Sequence, residues 1–172
     1  MTNIRYNDYG REMTKDAKRG ALPSNSLEEE AFVALLRTAD QLQGRAAEMF
    51  KLHGLSPTQY NALRILRGAG PEGLACTEVA RRMINRDPDI TRLMDRLERR
   101  GLIRRSREEK DRRVIKARIS AAGLDLLKGL NREVAEFHRQ LLGHLGAEKL
   151  QSLIGLLEAA RENAGVRQRS PW

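Results

Sequence analysis

The spacing of apolar residues changes period in the middle of this chain and then changes back. In the helical stretches between Leu27 and Arg100 they recur every three or four positions, which is the spacing of one helix face. From Val114 to Ile119 they alternate instead. Ile115, Ala117 and Ile119 fall on one side, with Lys116 and Arg118 on the other. Leu102-Ile103-Arg104-Arg105 reads as a partner strand, and the charged stretch from Ser106 to Arg113 joins the two into a hairpin. After Ser120 helical spacing returns. The expected fold class is mainly α with one small β element.

Capping signals divide the helical parts. Ser26 followed by Glu28, Glu29 and Glu30 starts a helix running from about Leu27 to Leu52, and Gly54 ends it. Ser56-Pro57-Thr58-Gln59 is a capping box with proline at the first helical position, where its missing N–H is harmless. That helix stops in Gly68-Ala69-Gly70-Pro71-Glu72-Gly73. The stretch matches G-x-G-x-x-G, but a helix precedes it and Pro71 interrupts it, so it reads as a turn rather than a dinucleotide loop. A short helix follows from Thr77 to Ile84. Ala75 stands where Ser or Thr would complete its cap, a loss of about 1 kcal/mol. Another helix starts at Asp87-Pro88-Asp89 and runs to Arg100, with Gly101 just beyond its end. Ser120 caps a long helix broken at Gly146, and a last helix carries Leu150, Leu153, Ile154 and Leu157. Residues 1–26 and 165–172 show no periodicity. The first of these is an arm that is either a plain tail or touches a partner or nucleic acid.

The 172 residues carry a net charge of +9, and its position is informative. Residues 55–120 hold 17 Lys and Arg against nine Asp and Glu, while residues 27–54 are net negative and 121–172 nearly neutral. A basic block between near-neutral helical blocks suits a module facing a polyanion, held on a scaffold. The order helix, short helix, basic helix and hairpin is a helix-turn-helix followed by a wing. Its basic helix fits the major groove of duplex DNA.

Thr91-Arg92-Leu93-Met94-Asp95-Arg96-Leu97-Glu98-Arg99-Arg100-Gly101-Leu102-Ile103 resembles the recognition helix of the MarR (multiple antibiotic resistance regulator) family and its exit into the wing. Asp111-Arg112-Arg113, Val114 to Ile119 and Ser120-Ala121-Ala122-Gly123 resemble the family's wing and the start of its next helix. Leu55-Ser56-Pro57-Thr58-Gln59-Tyr60 resembles its second-helix entry. The resemblance implies a winged helix-turn-helix at 55–120. Dimerisation helices at 27–54 and 121–164 would interleave in a homodimer bound to double-stranded DNA at a pseudo-palindromic operator. It also implies a cytoplasmic, nucleoid-associated transcriptional regulator, commonly a repressor. No cofactor would be required, and a small aromatic effector would bind between the dimer helices and the DNA-binding lobe. The alternative is a nonspecific or architectural DNA-binding protein. An enzyme is disfavoured, because no phosphate loop, nucleophile–base pair or metal-ligand cluster is legible.

Thr91 and Arg92 are the leading candidates for base-edge or phosphate contacts, with Pro88 and Asp89 beside them. Asp87 and Asp89 either accept from a cytosine amino group or serve the helix as cap and dipole partner. Arg96 reaches phosphate or pairs with Asp95 or Glu98. Arg81, Arg82 and Arg86 lie around the short helix and its turn as backbone contacts. Arg112 and Arg113 are the wing candidates, since a narrow minor groove attracts arginine. The resemblance makes Asp111 an orienting partner for a wing arginine. Cys76, the single cysteine, rules out an internal disulfide and is a weak candidate for an oxidant sensor. His53, His138 and His144 do not have the spacing of a metal site. No stretch is long and apolar enough to span a membrane, so no membrane partner is expected.

Overall fold

A computed structural model describes residues 26–84, 89–108, 111 and 113–163. The chain divides into two units, Met1–Gln41 and Leu42–Trp172. The described part of the first unit is the opening of helix α1 (Leu27–Lys51). The Ser26 hydroxyl accepts the Glu29 N–H at 3.3 Å, and three glutamates sit in the first turn, at the positive end of the helix dipole.

In the second unit α1 ends by burying Met49 and Phe50. Gly54 turns the chain with a φ of 65°. Helix α2 (Pro57–Gly68) then starts on the expected capping box. The Ser56 hydroxyl accepts the Gln59 N–H at 3.1 Å, and the Gln59 side chain accepts the Ser56 N–H at 2.9 Å. A 3₁₀ turn over Gly70–Glu72 leads to strand β1 (Leu74–Ala75) and helix α3 (Cys76–Arg82). After α3 come helix α4 (Ile90–Arg99), strands β2 (Ile103–Arg107) and β3 (Ile115–Ile119), and helix α5 (Ala121–Leu142). A second 3₁₀ turn, Gly143–Leu145, precedes helix α6 (Gly146–Asn163). The architecture is mainly α with a small antiparallel sheet, a winged helix. Among the described residues no helix is long and apolar enough to cross a membrane.

Three local expectations need correction. The hairpin is part of a three-stranded sheet in the order β1-β3-β2, because Leu74 and Ala75 pair with Ala117 and Lys116. Gly73 makes this possible. Its φ is 68°, and a Cβ there would lie 2.4 Å from the Ala117 carbonyl oxygen. The cap of α4 is Asp89 rather than Asp87, since the Asp89 carboxylate accepts the Arg92 N–H at 3.0 Å. The long helix ends at Leu142, about a turn before Gly146, where the 3₁₀ turn takes over. As expected from Ala75, α3 has no side-chain cap.

The core lies among α2 to α5 and the sheet. Leu63, Leu66, Val79, Leu93, Met94, Leu97, Ile103 and Leu127 are fully buried. Ser120 ties the basic helix to the long one. Its hydroxyl donates to the Gly101 carbonyl at 2.6 Å and accepts the Gly123 N–H at 3.1 Å. Gly123 itself lies so close to the chain leaving α4 that a Cβ would stand 2.3 Å from the Leu102 carbonyl oxygen. Gly-to-Ala within a helix ordinarily gains up to about 1 kcal/mol. Gly123→Ala is expected to do the reverse and destabilise by about 1–3 kcal/mol through overpacking against backbone. Chemical denaturation checks this, and a stabilised variant would contradict it.

Candidate nucleic-acid interface

Helix α4 separates two jobs by face. Leu93, Met94 and Leu97 are buried, whereas Thr91, Arg92, Arg96 and Arg99 are exposed. The buried stripe fixes the helix on the core and leaves the cationic faces to solvent. Arg92 forms an ion pair of 2.8 Å with Asp89, the cap of its own helix. Both side chains are well exposed, so the pair is weak and readily exchanged for a phosphate. Arg96 pairs with neither Asp95 nor Glu98, because those two carboxylates are taken by another residue.

That residue is Arg105 on β2. Its guanidinium lies 2.5 Å from Asp95 Oδ1 and 2.7 Å from Glu98 Oε2, and its backbone N–H donates to Glu98 Oε1 at 2.9 Å. The Arg105 pairing holds the Glu98 carboxyl below the usual carboxylate range, and Glu98 in turn raises the Arg105 pKa. The clamp fixes the angle between helix and wing and neutralises two carboxylates that would repel phosphate. The sequence reading missed it. The available signal was register: Arg105 falls on the inward side of β2, opposite the small Ala117.

The remaining candidates are distributed as follows. Glu78 binds both Arg82, at 2.7 Å, and Arg81, so the two exposed arginines of α3 share one carboxylate. The exposed Asp111 carboxylate accepts the Arg113 backbone N–H at 3.0 Å, and its carbonyl accepts the Val114 N–H at 2.9 Å. Asp111 thus holds the backbone of the turn that carries Arg113. Arg86, Pro88 and Arg112, and with them Asp87, lie outside the described residues. On the far face of the wing Arg104 stands opposite Arg118, whose guanidinium donates to Ser106 Oγ at 2.9 Å and to the Pro71 carbonyl at 3.0 Å. Arg100 reaches back from the end of α4 to the Gly54 carbonyl at 2.5 Å.

The Cys76 thiol is half-buried, and burial raises its pKa, the opposite of what an activated thiolate needs. His53 faces Glu133 at 2.9 Å. Among the described residues no group of three His, Cys, Asp or Glu gathers as a metal site.

A cavity of about 340 Å³ opens between α1, α2, α5 and the residues that follow α3. Phe50, Tyr60, Met83, Phe137 and Leu141 give it an apolar wall. Phe50 and Tyr60 stack with centroids 4.3 Å apart. Asn61, Arg64 and His138 bring polar groups to the same wall. Burial, and then the charge of Arg64, lowers the His138 pKa, so the imidazole is neutral at neutral pH.

This arrangement has known counterparts. The MarR family model matches residues 55–115, from the entry to α2 through the start of β3. A MarR transcription factor from Planctomyces limnophilus is 45% identical and superposes with a TM-score of 0.62, over 79% of this chain and 98% of that one. The chain belongs to the MarR family. It is a DNA-binding transcriptional regulator of that family, not an enzyme. The homoprotocatechuate degradative operon repressor of Escherichia coli is 29% identical over 126 residues, which are 73% of this chain and 84% of the relative. The Staphylococcus aureus MepR–DNA complex shares the fold at 20% identity, with a TM-score of 0.69 over 77% of this chain and 97% of that one.

Arg105→Met removes the clamp of this MarR protein but keeps the length of the side chain. Stability is expected to fall by about 1–2 kcal/mol, a modest loss because Asp95 and Glu98 are partly solvated. Affinity for duplex DNA is expected to fall as well, since the wing loses its angle and two carboxylates lose their counter-charge. Melting curves and fluorescence anisotropy read the two effects, and unchanged DNA affinity would contradict the clamp's role.

Proposed function

We propose that this chain is a ligand-responsive repressor that binds a pseudo-palindromic operator as a homodimer. The observation that carries the reading is the division of α4 into a buried apolar stripe and exposed cationic faces, with the wing clamped beside it. In this reading Thr91 and Arg92 meet base edges or the adjacent phosphates, with Pro88 and Asp89 next to them. Arg96, and at least one of Arg81, Arg82 and Arg86, meet the phosphate backbone. Arg112 and Arg113 carry the wing into the minor groove.

The dimer is supported by apolar surface. Phe32 and Leu36 on α1 are exposed, as are Ile154 and Leu156 on α6, a helix of 18 residues that buries none of them. A regular helix with no buried residue gains little from its own unit, and a second copy is the natural cover. The cavity behind α2 is the proposed effector site. Its size and apolar wall suit a small aromatic molecule, whose entry would change the spacing of the two reading heads. The relative in Escherichia coli is named as a repressor of homoprotocatechuate degradation, which agrees with a repressor reading.

Charge reversal separates this proposal from a general affinity for polyanions. Arg92→Glu is expected to lower affinity for a specific duplex on the order of 100-fold, whereas Arg161→Glu on α6 should change it by less than about threefold. Equal, small losses at both positions would reject α4 as the reading head. Equal, large losses would point to nonspecific electrostatic binding. Solution scattering on the same samples is expected to give the mass of two chains.

A further inference from the structure

Arg100 closes α4 and lies at the opposite end of that helix from Thr91 and Arg92. The residue is exposed, yet its side chain is tied down. The guanidinium donates to the Gly54 carbonyl at 2.5 Å, across 46 positions of sequence. That carbonyl belongs to a well-fixed turn. The His53 and Leu55 N–H groups both donate to the Phe50 carbonyl at 3.0 Å, and the Gly54 N–H donates to the Lys51 carbonyl at 3.0 Å. Phe50 and Leu55 are buried, and the His53 ring faces Glu133 of α5 at 2.9 Å. The other restraints on α4 act elsewhere. Burial of Leu93, Met94 and Leu97 holds the helix down but has no direction. The Arg105 clamp ties the helix to the wing, which leaves the two able to tilt as a pair. The bond from Arg100 refers α4 to the end of α1, which the clamp does not touch.

We propose that Arg100 is a positioning residue. It sets the tilt of α4 against the end of α1, and with it the approach of Thr91 and Arg92 to base edges. The inference rests on the reading of α4 as the helix that reads sequence. A helix of 10 residues is about 15 Å long. Released at its last residue, it pivots on the buried stripe and its first turn moves. Hydrogen bonds to base edges do not survive such a movement well, because they weaken steeply with angle and distance. Attraction to phosphate persists, because charge interactions fall off slowly. Arg100 therefore acts on the choice of sequence and not on the hold on duplex as such.

Three variants of the full-length protein test this. Each is measured against a duplex enriched from a random pool by the unsubstituted protein, and against random duplex of the same length. Arg100→Met removes the donor, and Arg100→Gln keeps one that is too short to reach Gly54. Both are expected to bind the enriched duplex roughly tenfold more weakly, the size of one weakened base contact. Random duplex should stay within about twofold of the unsubstituted protein. Arg100→Lys keeps a cation of nearly full reach and is expected to recover most of the loss. The slope of affinity against salt should be the same in all three. Arg100 is exposed, so none of the three disturbs the core. A slope smaller by about one, with random duplex weakened as much as the enriched one, would make Arg100 a phosphate contact and overturn the positioning role. A lower melting temperature with unchanged preference for the enriched duplex would leave Arg100 a purely structural residue and overturn it too. If the unsubstituted protein itself shows no preference, the reading of α4 falls and the positioning role with it.

Discussion

The structure depends on how α4 is held. A helix that must offer arginines to a polyanion repels itself and has little reason to stay docked. Here three apolar side chains, Leu93, Met94 and Leu97, sink completely into the core. One arginine from the wing, Arg105, closes on two carboxylates of the same helix. Burial supplies the anchoring free energy, and the ionic clamp supplies direction. The exposed arginines are then free to carry charge without having to stabilise the fold. Surface ion pairs such as Arg92–Asp89 and Arg82–Glu78 are weak enough to be traded for phosphate contacts.

The rest of the second unit is arranged around that helix. Ser120 and Gly123 bring the start of α5 against its exit, and Arg100 ties the same end to the turn after α1. The cavity is walled by α1, α2, α5 and the residues that follow α3.

Much of this was legible in the residues alone. The capping boxes at Ser56 and the cap at Ser120 could be read because they are local: a side chain serving a backbone group three positions away. The hairpin could be read because its alternation contrasts with helical spacing on both sides. Strand β1 could not be read, since two residues have no period and Leu74–Ala75 becomes a strand only when β3 offers its edge. Sequence reading puts the cap of α4 at Asp87 instead of Asp89 because the two flank one proline and both have the right chemistry. Arg105 was hidden in a run of arginines. It differs from Arg104 only in facing inward, toward Asp95 and Glu98, and that distinction belongs to tertiary structure. The cavity draws its wall from α1 and α2, from Met83 and Ile84 after α3, and from α5 much later in the chain, so no single window of residues announces it.

In the proposed function α4 reads sequence rather than merely charge. The most direct test is selection from random duplex DNA, followed by the ratio of specific to nonspecific affinity at one fixed salt concentration. The prediction is an enriched inverted repeat with half-site centres about one helical turn apart, bound at least roughly 1,000-fold more tightly than random duplex. A pool without enrichment, and a ratio near one, would contradict it.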